Sequence, residues 1–171
     1  GMIYDAFDTE THTCKRFEIP EEWPRYIGVD FGPVHTAVVF LAAKPNTQKL
    51  YLYREYLHGR ITTAQHVAAL LKGEPIDATR DRPRVPMAYG GSTSEGEWRW
   101  EFGAAGLPIG EPDVSDVEVG ITRVYGAMRR DELIVFDDCE KTLAEIGSYS
   151  RQVDDTASPL EANEDKHSYH L

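Results

Sequence analysis

Tyr26-Ile27-Gly28-Val29-Asp30-Phe31-Gly32-Pro33 is the stretch on which the fold turns. Apolar residues at successive positions, closed by Gly-Pro, predict a short strand covered on both faces. Asp30 stands at the C-terminal end of that strand. A carboxylate there is costly to bury alone, so it must meet a cation, a hydrogen-bond donor or water. Downstream, residues 36–43 are rich in β-branched and aromatic side chains, Lys44-Pro45-Asn46-Thr47 is turn chemistry, and residues 50–57 alternate. Simple alternation puts Leu50 and Leu52 on one face of that third strand, with Tyr51, Tyr53 and Glu55 on the other. Short connections make the three strands an antiparallel meander.

Beyond the meander, helix and strand alternate. Thr62-Thr63-Ala64-Gln65 has capping-box spacing, Val67, Leu70 and Leu71 form a helical stripe, and Gly73 is a stop. A strand is predicted over 84–89, ending in Gly90-Gly91. A helix follows over 94–105, with Trp98, Phe102 and Ala105 on one face. Ser115-Asp116-Val117-Glu118 opens another helix with Val117, Ile121, Val124 and Met128 in its stripe. Residues 133–136 read as a strand, and Asp137-Asp138-Cys139-Glu140 opens a helix running to Gly147. Residues 1–24, with prolines at 20 and 24, form an extended lead-in. From Tyr149 onward the chain is polar and irregular. An antiparallel meander leading into crossover units gives an α/β fold, a mixed sheet flanked by helices.

The 171 residues are enough for one domain with a buried core. No apolar run approaches the ~18 residues of a membrane span, and the start lacks the order of a signal peptide. Cys14 and Cys139 have no CxxC spacing and suit a reducing compartment. A net charge of -11, from 29 acidic and 18 basic residues, argues against holding nucleic acid by bulk electrostatics. It leaves room for a metal-dependent nuclease, in which cations offset clustered carboxylates. No glycine-rich phosphate loop is present, so the chain carries no nucleotide-driven motor of that type.

Each candidate residue has two readings. Asp30 bridges divalent metals at the sheet end, or caps its own turn through backbone amides. Glu55 borders the same site, or pairs across strands. Arg80, Arg82 and Arg84 meet a phosphate backbone, or are solvated in a mixed-charge loop. Trp98 and Trp100 stack on bases, or Trp98 belongs to the core. Asp137 and Asp138 resemble a metal pair, yet helix N-capping explains them more simply. Gly28-Val29-Asp30-Phe31-Gly32 also looks like the phosphate strand of the sugar-kinase, actin and chaperone ATPases, whose duplicated fold needs a longer chain.

Several segments in order resemble one family. Residues 1–8 and 19–32 look like the segment that joins the packaging ATPase to the nuclease in phage terminase large subunits. Tyr53-Arg54-Glu55-Tyr56, Gly106-Leu107-Pro108-Ile109, residues 120–125, residues 145–150 and residues 165–171 follow that family's order. The resemblance implies a ribonuclease H-like fold over residues 25–171, with 1–24 leading from an ATPase domain. It implies cleavage of concatemeric double-stranded DNA with Mg²⁺ or Mn²⁺, in the cytoplasm of a bacterial host. The implied partners are the ATPase domain, the small terminase subunit and the portal. By the same resemblance Asp30 is a metal ligand and catalytic residue. Gly91 stands where a second carboxylate is expected, and the third is expected just past Leu171. Asp165 and His170, with His167 beside them, are the remaining candidate ligands. Two readings of function follow: an active two-metal endonuclease, or a degenerate domain that keeps the fold without the cut.

Overall fold

The computed structural model of the chain describes residues 7–91, 93–110 and 132–146. A two-residue strand in the lead-in, β1 (Thr13–Cys14), precedes the expected meander of β2 (Arg25–Phe31), β3 (His35–Ala43) and β4 (Leu50–Gly59). Helix α1 (Thr63–Leu71) follows, then a small hairpin of β5 (Ile76–Asp77) and β6 (Arg82–Pro83). Next come β7 (Met87–Gly90), a 3₁₀ turn over Thr93–Glu95, α2 (Gly96–Ala104), β8 (Ile109–Gly110) and β9 (Leu133–Phe136). Residues 140–146 are helical and are called α3. The main sheet has seven strands in the order β1-β9-β4-β3-β2-β7-β8. The meander pairs antiparallel, while β7, β8, β9 and β1 join in parallel, which is the mixed α/β sheet expected.

Local signals are realised closely. Thr62 caps α1 with a complete capping box: its hydroxyl accepts from Gln65 N at 3.2 Å, and the Gln65 side chain accepts from Thr62 N at 2.8 Å. Val67 and Leu70 are buried, and Gly73 ends the turn with φ 88. Three expectations shift. The strand predicted from Arg84 begins at Met87, because Arg84 is tied by its amide to the Pro75 carbonyl at 2.7 Å and by its side chain to the Glu21 carbonyl. The helix predicted from Ser94 opens as a 3₁₀ turn and becomes α-helical at Gly96. Strand β2 buries Ile27, Val29 and Phe31, whereas Tyr26, Gly28 and Asp30 are only half-buried, so it is closed fully on one face alone.

A β-bulge reverses the expected faces of β4. Leu41 pairs with Leu52, but Phe40 pairs with Arg54, which leaves Tyr53 as an extra residue. Every side chain after it therefore points to the side opposite that given by simple alternation. Arg54 lies over the Phe40 ring at 4.3 Å and donates to the carbonyls of Ala69, Leu70 and Lys72 at the end of α1. Glu55 goes to the other face, where it accepts from Lys141 N, Thr142 N and Thr142 Oγ1 at 2.8–3.0 Å. It thereby caps the start of α3. Tyr53 donates to the buried Glu74 at 2.8 Å, and Arg25 and Arg54 lie 4.0 and 3.8 Å from the same carboxylate. Burial, followed by the negative charge of Glu74, pushes the Tyr53 phenol well up.

The lead-in is extended, as its prolines require, and it also takes part in the sheet. Strand β1 pairs with β9, Ile19 enters the core, and Phe17 packs edge-on against Tyr51 at 5.3 Å. Arg16 forks onto Asp138 at 2.6 and 2.7 Å and lies over the Phe136 ring at 4.8 Å. Arg25 donates to the carbonyls of Ile19 and Pro20.

Between α1, α2 and β4, His66 is buried with its Nδ1 2.7 Å from the Tyr56 hydroxyl and its ring stacked on Phe102. Burial first, and His58 second, hold its pKa below the ordinary 6.5. Folding therefore favours the neutral ring. The contribution is complete above the unfolded value and is lost as pH falls below it. Lowering the pH from about 7.5 to about 5.5 should lower the melting temperature, and His66→Gln should flatten that dependence. An unchanged slope in the variant would rule out this assignment.

Candidate functional site

Asp30 is half-buried at the C-terminal end of β2. It pairs with Ala37, which pairs with Leu57, so one row on one face runs Asp30–Ala37–Leu57. The neighbouring row runs Gly28–Val39–Glu55, which places Glu55 on the Asp30 face through the bulge. Glu55 is nevertheless committed to α3 and not to a metal.

On the other side of β2, the last parallel pair is Val29 with Gly90, so Asp30 and Gly91 leave the ladder side by side. Gly91 thus adjoins Asp30 in the sheet, but its backbone is turned. Its φ is 75, and a Cβ there would stand 2.9 Å from both the Phe31 ring and the Arg99 guanidinium. Phe31 follows Asp30 in the strand and faces the opposite side. A side chain at 91 in this conformation would point away from Asp30, into a filled space. A Cβ on Gly90 would run into the Val29 carbonyl. The buried Arg99 donates to the Gly90 carbonyl at 3.4 Å and closes this corner from α2.

The carboxylate oxygens of Asp30 are donors of the kind a hard divalent cation takes. Among the described residues, however, no three His, Cys, Asp or Glu side chains are grouped to hold a metal. One carboxylate does not make a two-metal centre, and Asp165, His167 and His170 lie outside the described residues. The helix expected over 115–128 also lies outside them.

The other candidates are dispersed. Arg80, Arg82 and Arg84 belong to or flank the β5–β6 hairpin, before the start of β7 and so at the end of the sheet opposite Asp30. Arg80 lies 3.8 Å from Asp77, whose carboxyl is held below the usual range first by its hydrogen bonds from Thr79. Trp98 is 40% exposed rather than a core residue, though its ring stacks on Phe31 at 5.8 Å; Trp100 is exposed. Asp138 does not cap α3. It is held by Arg16, whose hydrogen bonds keep its carboxyl below the usual range, and Glu55 takes the capping role. Arg99 was not separable in sequence, because Glu97-Trp98-Arg99-Trp100-Glu101 presents it as one charge in a polar helix.

A mixed sheet in this strand order, flanked by helices, is the ribonuclease H-like fold. The chain has the fold of phage large terminase nuclease domains. It is similar to the P22 large terminase nuclease domain, with TM-score 0.57 and 22% identity over 85% of this chain and 77% of that one. Against the large terminase of a thermophilic bacteriophage, solved in complex with ADP, the TM-score is 0.63 and the identity 18%, over 86% of this chain and 37% of that one. The large terminase nuclease of thermophilic phage G20c gives a TM-score of 0.52 at 17% identity, over 81% and 76% of the two chains. No protein-family model and no curated protein matches the sequence.

Two substitutions test the site's construction. Gly91→Ala should cost about 1–3 kcal/mol by overpacking against Phe31 and Arg99; a urea midpoint equal to that of the parent would show that the corner relaxes freely. Glu55→Ala should cost about 0.5–2 kcal/mol through loss of the α3 cap, and no loss in the same titration would remove Glu55 from that role.

Proposed function

We propose that this chain is the nuclease-fold domain of a phage DNA-packaging terminase large subunit, acting on concatemeric double-stranded DNA in the bacterial host cytoplasm. Residues 1–24 lead from an ATPase domain and add β1 to the sheet, residues 25–171 form the rest of the nuclease unit, and the unit works beside the ATPase, the small subunit and the portal. The observation that carries this reading is Asp30, presented half-buried at the end of an interior strand of a fold shared with three terminase structures.

In this reading Asp30 is the first ligand for Mg²⁺ or Mn²⁺, and Asp165 and His170 are the further ligands. Divalent ions held there would supply an activated water and a counter-charge for the leaving oxygen of a phosphodiester. The chain's own contribution is placement. Strand β2 fixes Asp30, Gly90 and Gly91 keep the adjoining backbone close, and Glu55 anchors α3 on the same face.

A second reading, a domain that retains the fold without the cut, is favoured by the Gly91 corner. A carboxylate expected beside Asp30 is replaced by glycine there, and Arg99 and Phe31 fill the space. Supercoiled plasmid incubated with Mn²⁺ separates the two. Nicking that disappears with EDTA and with Asp30→Ala is the expected result. A parent chain that is folded and leaves the plasmid intact selects the inactive domain, and nicking that survives Asp30→Ala removes Asp30 from the chemistry.

A further inference from the structure

The Asp30 end of the sheet is bordered on one flank by two turns that carry no carboxylate. Residues 32–34 link β2 to β3, residues 60–62 link β4 to α1, and no Asp or Glu occurs in 32–35 or in 57–64. The turns adjoin, because His35 pairs with Gly59 and Thr36 pairs with His58. Val34, His35, Leu57, His58 and Arg60 are exposed along this rim. We propose that the rim, led by Arg60, is the surface by which the phosphate backbone of duplex DNA approaches Asp30. The inference rests on the DNA-acting reading above and names the contact surface for it.

Charge makes the location selective. With 29 acidic and 18 basic residues, most of the surface repels a polyanion, so approach must use an acid-poor region. The flank beyond Gly91 carries Glu95 and Glu97 and is excluded on this ground. The Arg80–Arg84 hairpin lies at the far end of the sheet. On the rim, the first turn of α1 contains no acidic residue. Glu101 comes near only through the Thr63 hydroxyl, which donates to it at 3.1 Å.

Arg60 supplies a second, independent argument. It holds φ 61, a left-handed conformation, and the glycine stands one position before it. A residue with a Cβ adopts that conformation only at a cost relative to ordinary backbone. No ion pair offsets that cost among the described residues. Strained backbone under an exposed charged side chain, at the same end of the sheet as a candidate site, is the pattern of a ligand contact. Two strand spacings across and three residues along put Arg60 on the order of 14 Å from Asp30, about four base steps of a duplex. A phosphate contact at that separation holds the duplex across the carboxylate without competing with it.

The test is binding of the full chain to a labelled duplex of about 30 base pairs, followed by anisotropy in EDTA over a range of salt. Arg60→Gly removes the charge and relieves the positive φ, so its melting temperature should equal or exceed that of the parent. Its affinity should fall roughly three- to ten-fold, and the slope of log K against log salt should drop by about one. Arg82→Ala, at the far end, should leave both unchanged. A folded Arg60→Gly chain with the parent's affinity and slope would overturn the rim while leaving the DNA-acting reading intact. A parent chain with no salt-dependent binding at all would sink that reading and the rim together.

Discussion

Two adjacent residues on β4 hold the architecture in register. Arg54 and Glu55 follow the Tyr53 bulge and leave the strand on opposite faces. Arg54 satisfies carbonyls at the C-terminal end of α1, and Glu55 satisfies amides at the N-terminal end of α3. Each charge meets the helix end whose dipole it complements, so both helix ends left open by their own hydrogen-bond pattern are closed from a single strand. Without the extra residue the two charges would exchange faces, and each would meet the wrong layer. The bulge is therefore a condition for having helices on both sides of this sheet.

The same constraint shapes the Asp30 end. Covered by α1 and α2, the Ile27–Val29–Phe31 face is closed by aromatic packing from Phe31 through Phe102 to His66. Asp30 is left on the other face, beside a glycine pair where the β7 backbone comes too close for a side chain. The carboxylate is thus held by a rigid strand while its immediate neighbour contributes only backbone. Positioning and ligand supply are separate tasks here. The described part of the fold performs the first.

What could be read in the sequence divides along the range of the interactions. The meander, the α1 capping box and the β9 strand depend on neighbours a few residues apart, and their patterns are visible in the chain. The bulge depends on how β4 meets β3, so alternation alone put Glu55 on the wrong side. Asp138 looked like a cap because it precedes a helix, yet its partner Arg16 lies in the lead-in, far off in sequence. Trp98 has the helical spacing of a core residue but lies 40% exposed on α2, with its ring stacked on Phe31. Asp30 was legible because a lone acid in an apolar strand is unusual. Arg99 was not, because only the fold brings it to Gly90 and Gly91.

The lead-in has a consequence for solubility. Strand β9 reads Leu133-Ile134-Val135-Phe136, and among the described residues one of its edges is covered by the two residues of β1 and the aromatic strap that continues to Phe17. If the lead-in were stripped away, a bare row of amides and carbonyls would flank four consecutive apolar side chains. Such an edge is a template for strand addition by another molecule. Proteolysis in this segment would thus convert a paired interior strand into a nucleus for aggregation, long before the central strands lost their order.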